Sequence, residues 1–195
     1  NRSYLGRHTN KLDVLRMARA SGLDVPQTFV TNDSGYLTAS HQIDELIAKP
    51  VPGGGYCIPL DEVLAGADVR DGVAATPAIV QQRLRGPDVR IYRIGDRTIG
   101  FRIDGAAVDY RTSRDYRITR LDRLPSSAVK GLEGLMRSMD LDWGAADFKA
   151  DPETDQLTFL EINSNPMFST FDRFAEGEIA DSIVGFLSDH DGPEC

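Results

Sequence analysis

"FLEINSNPMF", residues 159–168, sets a carboxylate and a carboxamide two positions apart in a run whose other members, Phe159, Leu160, Ile162 and Met167, belong in a core. The stretch that ends in it, "AADFKADPETDQLTFLEIN" (145–163), reads as a β-hairpin, two apolar runs joined by a polar turn containing a proline. A loop centred on Thr154 sets Asp147 opposite Glu161. Side chains alternate along strands, so Asn163 shares their face, while Ala146, Phe148, Leu160 and Ile162 point the other way into a core. The same alternation turns Phe159 toward the polar face. Residues directly opposed across a ladder hold their Cβ atoms about 5 Å apart. Two carboxylates at that spacing repel each other unless something positive lies between them.

Asp, Glu and Asn offer only hard oxygen donors, which suit Mg²⁺ or Mn²⁺ and disfavour zinc. Magnesium keeps several waters and completes its shell with substrate phosphates. The expected metal ligands are therefore Asp147, Glu161 and Asn163, with Glu161 bridging two ions and the other two residues holding one each. A single Asp or Glu on a strand is more often simply solvated. It is the triple, set inside an apolar stretch, that points to metal.

The chain has 195 residues, enough for one compact domain or two small lobes, and carries a formal net charge of −8. No basic stripe stands out, so neither nucleic acid nor an anionic membrane is an expected partner. Cys57 and Cys195 are the only cysteines, too few for a disulfide framework and without zinc-site spacing, which fits the reduced cytoplasm. No apolar run approaches the length of a membrane span, and the start "NRSYLGRHTNK" has no secretory apolar region. Beginning at Asn1 suggests that a preceding domain is missing.

Along the chain, residues 10–22 read as a helix with Leu12, Leu15 and Ala18 on one face. Pro26–Thr31 reads as an edge strand, and "HQIDELIAKPV" as a short helix running into a strand at Ala48–Val51. "PGGGY" is a loop, since consecutive glycines cost too much entropy for regular structure. "PAIVQQRL", "DVRIYRIGDRTIGFRID" with its turn at Gly95-Asp96, and "AAVDYRTS" supply further strands. Helices are expected at 126–139, with Met136 and Met139 at core spacing, and at 179–187. Strands and helices do not strictly alternate, which favours α+β. His8, His41 and His190 lack partners at ligand spacing, and Arg114, Arg117 and Arg120 read as an exposed face.

"DWGAADFK" followed by "FLEINSNPMF" resembles the metal site of the ATP-grasp superfamily of carboxylate–amine ligases. Further pieces are similar in the same order: "TNKLDVLRMARASGLDVPQTFVT", "AKPVPGGG" and "IVQQRLRGPDVRIY". "GPDVRIYRIGDRTIGFRIDG", "VDYRTS" and "LPSSA" narrow the likeness to ligases of ribosomally made peptides, the graspetide macrocyclase type and the related glutamate-ligating type. The resemblance implies two α+β lobes with mainly antiparallel sheets clamping a nucleotide. The lobes would be residues 1–78, with a glycine-rich flap, and residues 79–195, with the metal site; the family's preceding N-terminal domain is absent.

It also implies ATP and Mg²⁺ (or Mn²⁺) as cofactors, and assigns residues to them. Lys11 and Lys49 would contact phosphates; Gln81, Gln82 and Leu84 would meet adenine; Asp88 would accept from the ribose. Arg102 would contact the triphosphate. Arg90 and Arg111 are the expected catalytic residues, because a guanidinium is permanently charged and pairs two phosphate oxygens at once. Many relatives carry a basic residue two positions before the metal aspartate, where this chain has Ala145, and Arg90 or Arg111 would take its role.

The implied reaction phosphorylates a carboxylate of a peptide or amino acid, and an amine or hydroxyl then captures the acyl phosphate to give an amide or ester. No side-chain nucleophile is needed, which agrees with a sequence lacking Ser/His/Asp or Cys/His constellations. The alternatives are a nucleotide-binding regulatory module of the same fold, and a phosphotransferase that stops at a phosphorylated product. A homodimer is left open.

Overall fold

The computed structural model describes residues 10–40, 42–51, 56–66, 69–105 and 115–190. These gather into two compact units. The larger is built from 10–25, 86–104 and 116–190, the smaller from 26–85 with 105 and 115. Against the boundary expected after residue 78, residues 10–25 join the larger unit, to whose core they supply a helix, and residues 79–85 stay with the smaller. Helix α1 (Lys11–Ala20) starts where the Asn10 side chain accepts a hydrogen bond from the Asp13 amide at 2.8 Å. Its buried face is Val14, Leu15 and Ala18, while Leu12, expected on that face, is 42 % exposed.

In the smaller unit come β1 (Thr28–Asp33), α2 (Ser34–Ser40), a 3₁₀ turn at 43–45, β2 (Leu46–Pro50), β3 (Ile58–Pro59), α3 (Leu60–Gly66), β4 (Val69–Arg70) and β5 (Val73–Gln82). The strands form a sheet in the order β1-β5-β2-β3, with β4 also on β5, and every pair is antiparallel. β1 begins two residues later than expected, since Pro26 has no N–H for the ladder. Leu46, Ile47 and Ala48 are all buried, so β2 begins at Leu46 and the expected short helix shrinks to the 3₁₀ turn. Leu46, Ala48 and Val80 on one face pack with Leu37 of α2 and Leu60 of α3. Most of "PGGGY" and all of "AAVDYRTS", Arg111 included, lie outside the described residues.

The larger unit continues with β6 (Asp88–Ile94), β7 (Arg97–Gly105), β8 (Tyr116–Leu121), α4 (Ser126–Ser138), β9 (Trp143–Ala150), β10 (Leu157–Asn163), α5 (Ser169–Asp172), a 3₁₀ turn at 173–175 and α6 (Glu178–His190). Its sheet runs β10-β9-β6-β7-β8. One face carries Val89, Ile91, Ala146, Phe148 and Phe159, which pack with Val14, Leu15 and Ala18 of α1 and Leu132, Leu135 and Met136 of α4. On the opposite face Tyr92, Phe101 and Phe171 make edge-on and tilted ring contacts. Among the described residues, no helix is long and apolar enough to cross a membrane.

The hairpin β9–β10 holds the fold's most consequential irregularity. Phe159 pairs with Phe148 but Glu161 pairs with Asp147, so Leu160 is an extra residue, a β-bulge. Regular alternation would have put Phe159 on the polar face and Leu160 in the core. The bulge reverses this: Phe159 is fully buried against Phe148, their ring centroids 5.6 Å apart, and Leu160 is only half-buried. Beyond it Glu161 and Asn163 keep the polar face and Ile162 packs on the core. Phe159→Ala therefore costs about 3–5 kcal/mol, read from the urea unfolding midpoint, as for a core phenylalanine. A loss below about 1 kcal/mol would place the ring outside the core.

Candidate functional site

The larger unit's register stacks side chains in rungs on the sheet face turned away from α1 and α4. Arg90, Asp147 and Glu161 form one rung across β6, β9 and β10. Two residues along, Tyr92, Ala145 and Asn163 form the next; on the other side lie Asp88, Lys149 and Thr158. The expected opposition of Asp147 and Glu161 is present. Arg90 joins it from a third strand.

Arg90 is tightly held. Its Nη1 donates to both Asp147 oxygens, at 3.0 and 3.1 Å, and its Nε donates to the Tyr92 hydroxyl at 3.0 Å. The guanidinium carbon lies 5.3 Å from the Tyr92 ring centroid and 5.4 Å from that of Phe171. Tyr92, fully buried, donates its hydroxyl hydrogen bond to the Met167 carbonyl at 2.8 Å, which ties down the loop after Asn163. Burial pushes the Tyr92 phenol above its ordinary value, so it remains a donor throughout the neutral range. A charge this buried is tolerable only because its partners are in place.

Glu161 is half-buried, and its carboxylate has no ion pair or hydrogen bond among the described residues. Asn163 is exposed, and its Oδ1 accepts from the Asn165 amide at 2.9 Å, opening the turn into Pro166. Among the described residues no three His, Cys, Asp or Glu side chains gather into a metal-holding group, so the expected set rests on two carboxylates and one amide. All three donors are hard oxygens on one face, a composition that fits magnesium or manganese.

Asp88, expected at a ribose, is paired with Lys149, Nζ to Oδ2 at 3.0 Å, and Lys149 also donates to the Gly86 carbonyl at 3.2 Å. Lys149 was missed in the sequence, although its place two residues after Asp147 sets it on the same face. Arg102 lies opposite Val89, on the sheet's other face from Arg90, and pairs with Asp104 at 3.0 Å and Asp155 at 3.3 Å. Lys11 opens α1, which packs against that same other face. Neither is brought to the rung of Asp147.

In the smaller unit Lys49, Gln81 and Thr28 share the face of β1, β2 and β5 that does not meet α2 and α3. Gln81 is 2 % exposed; its Nε2 donates to Thr28 Oγ1 at 3.0 Å. Its Oε1, alone among fully buried side-chain N and O atoms of the described residues, has no hydrogen-bond partner. Lys49 is buried and makes no ion pair among the described residues. Gln82 lies opposite Leu46, on the helix-covered face and exposed, and Leu84 follows the strand, half-buried. The unanswered carboxamide oxygen, on the same face as Lys49, is a cost that a ligand can offset. Lys49→Met keeps the buried stem and removes the ammonium, and is expected to leave urea unfolding within about 0.5 kcal/mol of the parent without ligand; a loss above about 1 kcal/mol would show that the ammonium is satisfied within the chain.

No protein-family model and no curated protein sequence matches this chain; solved structures do. PsnB, an ATP-grasp ligase solved with a minimal precursor, is 27 % identical with a TM-score of 0.73, over 91 % of this chain and 60 % of its own. PsnB has also been solved with minimal precursor, Mg and ADP. The macrocyclase MdnC of Microcystis aeruginosa MRC, bound to its precursor peptide MdnA, is 22 % identical with a TM-score of 0.71, over 92 % of this chain and 60 % of its own. The VanG D-Ala:D-Ser ligase of Enterococcus faecalis is 17 % identical with a TM-score of 0.61, over 91 % and 61 %. The chain thus spans about three-fifths of the length of these proteins.

Proposed function

We propose that this chain, which has an ATP-grasp fold like that of ligases associated with ribosomally made peptides, belongs to an ATP- and magnesium-dependent ligase. It would activate a carboxylate of a peptide or amino acid as an acyl phosphate and join it to an amine or hydroxyl. The observation that carries the reading is the rung on which Asp147 faces Glu161 beside Arg90. Support comes from PsnB, at 27 % identity, solved with precursor, Mg and ADP.

The carboxylate oxygen attacks the γ-phosphorus, the bond to the β-phosphate bridging oxygen breaks, and ADP leaves. The amine or hydroxyl then attacks the acyl carbon, phosphate leaves, and the nucleophile's proton is lost to solvent or phosphate. Catalysis of such transfers is mostly positioning and charge neutralisation. Divalent ions held by Asp147, Glu161 and Asn163 would supply that neutralisation at the phosphates. Arg90 puts a fixed guanidinium on the same rung, where Tyr92 and Phe171 prevent it from wandering into solvent. This suits it to the role that Ala145 cannot fill.

In the smaller unit, Lys49 would neutralise phosphate charge and Gln81 Oε1 would accept from the adenine amino group, with Leu84 and Gln82, whose side chain lies on the other face, contributing backbone groups. Asp88 would meet the ribose on exchanging part of its bond to Lys149. Lys11 and Arg111 are further candidates for phosphate. The nucleophile, the bond type and the use of a precursor peptide belong to the same proposal.

The test uses Asp- and Glu-rich peptides as candidate substrates, with ADP release and product mass as readouts. The intact protein is expected to release ADP and give a product one water lighter than its two partners. Glu161→Ala and Asp147→Asn each lower the rate on the order of 10³-fold, and chelation of divalent ions abolishes it. A phosphorylated product, or variants that turn over normally, would overturn the reading. Nucleotide binding without any ADP release would instead favour the regulatory module.

A further inference from the structure

The same guanidinium that could assist phosphoryl transfer sits where a cation on Asp147 must go. A single nitrogen, Arg90 Nη1, is almost equidistant from the two Asp147 oxygens, 3.0 and 3.1 Å. It therefore lies in front of the carboxylate, the space from which a divalent ion approaches to bind at about 2.1 Å. An ion in that space and the guanidinium repel each other at close range, and the ion, doubly charged and nearer the oxygens, is held the more strongly by the carboxylate. The Arg90 side chain, however, is not held by Asp147 alone. Its Nε bond to Tyr92 and its contacts with the Tyr92 and Phe171 rings do not involve the carboxylate oxygens. Tyr92 is in turn fixed by Met167 and fully buried.

We propose that Arg90 is a built-in counter-ion that competes with the divalent cation for Asp147, and that Tyr92 is the pivot on which it stays when the cation displaces it. Metal entry thereby releases Nη1 donors onto the reaction face at the moment phosphate arrives. This rests on the reading of Asp147 and Glu161 as metal ligands. It goes further by coupling the loading of the site to the freeing of its arginine. Until the cation arrives, Arg90 relieves the repulsion between Asp147 and Glu161; afterwards the cation does.

The competition has a sign that a purely structural arginine does not share. Deleting a structural partner of a metal ligand weakens metal binding; deleting a competitor strengthens it. Manganese alone, without nucleotide, is titrated into the protein and free ion is followed by electron paramagnetic resonance. Arg90→Met, whose apolar side chain suits the aromatic surroundings, is expected to bind Mn²⁺ about tenfold more tightly than the parent, the scale of one charged hydrogen bond. Arg90→Lys keeps the charge without the Tyr92 tether and is expected to fall between them. Unchanged or weaker affinity in Arg90→Met would overturn the proposal.

Should that variant fail to fold, the unsubstituted protein still decides. In a Mg²⁺ titration followed by the NMR resonances of the arginine side chains, the Arg90 Nε–H signal is expected to shift and saturate with the metal, remaining visible because its Tyr92 bond persists. An Arg90 signal indifferent to bound metal would contradict the competition. The metal reading itself is checked separately: if the parent and Asp147→Asn bind Mn²⁺ equally, the site assignment fails and not the coupling alone.

Discussion

Two carboxylates on neighbouring strands, facing each other across one rung, are the constraint around which the larger unit is arranged. Asp147 and Glu161 bring negative charge to a sheet face that also carries buried rings. Like charges placed directly opposite destabilise a ladder. The arrangement persists because Arg90 arrives on the same rung from the third strand and answers one of the two carboxylates. Tyr92, Phe171 and the Met167 carbonyl then hold Arg90 and the loop after Asn163 in register with the pair. An apolar core on the opposite face, shared with α1 and α4, keeps the sheet rigid enough for side chains to stay where the rungs put them.

The smaller unit shows the same division on a smaller scale. Its helices cover one face and seal Leu46, Ala48 and Val80. The other face buries Lys49 and Gln81 and leaves Gln81 Oε1 without a hydrogen-bond partner. Local rules broken on one face and obeyed on the other are what a binding surface looks like before its ligand is considered. Each unit carries its own chemistry: oxygen donors and a tethered guanidinium in one, a lysine and an open acceptor in the other.

Much of this was legible in the sequence because the decisive element is local. The hairpin 143–163 closes on itself, so a loop placed at Thr154 sufficed to expect Asp147 opposite Glu161; in the structure the pairing next to the loop, Leu157 with Ala150 and Phe159 with Phe148, runs one residue short of that register, and the extra residue at Leu160 restores the opposition. The bulge at Leu160 was not legible as such, yet its cause was: a phenylalanine that alternation would have turned toward charge. Burial of Phe159 outweighs the regularity of one ladder position. What could not be read is pairing between distant segments. Arg90 meets Asp147 across 57 positions and Lys149 reaches back to Gly86 across 63, and no local pattern specifies the strand order that joins them. Arg102 illustrates the same limit in reverse, since counting arginines on alternate positions does not say which face is which until Phe101 is seen packing on Tyr92 and Phe171.

Crystals of the protein soaked in manganese and measured at a wavelength sensitive to that metal offer the most direct view of the arrangement. The account predicts anomalous density between the carboxylates of Asp147 and Glu161, with Asn163 within coordinating reach. Density confined to other acidic positions, or none anywhere on that rung while the two side chains remain ordered, would contradict it.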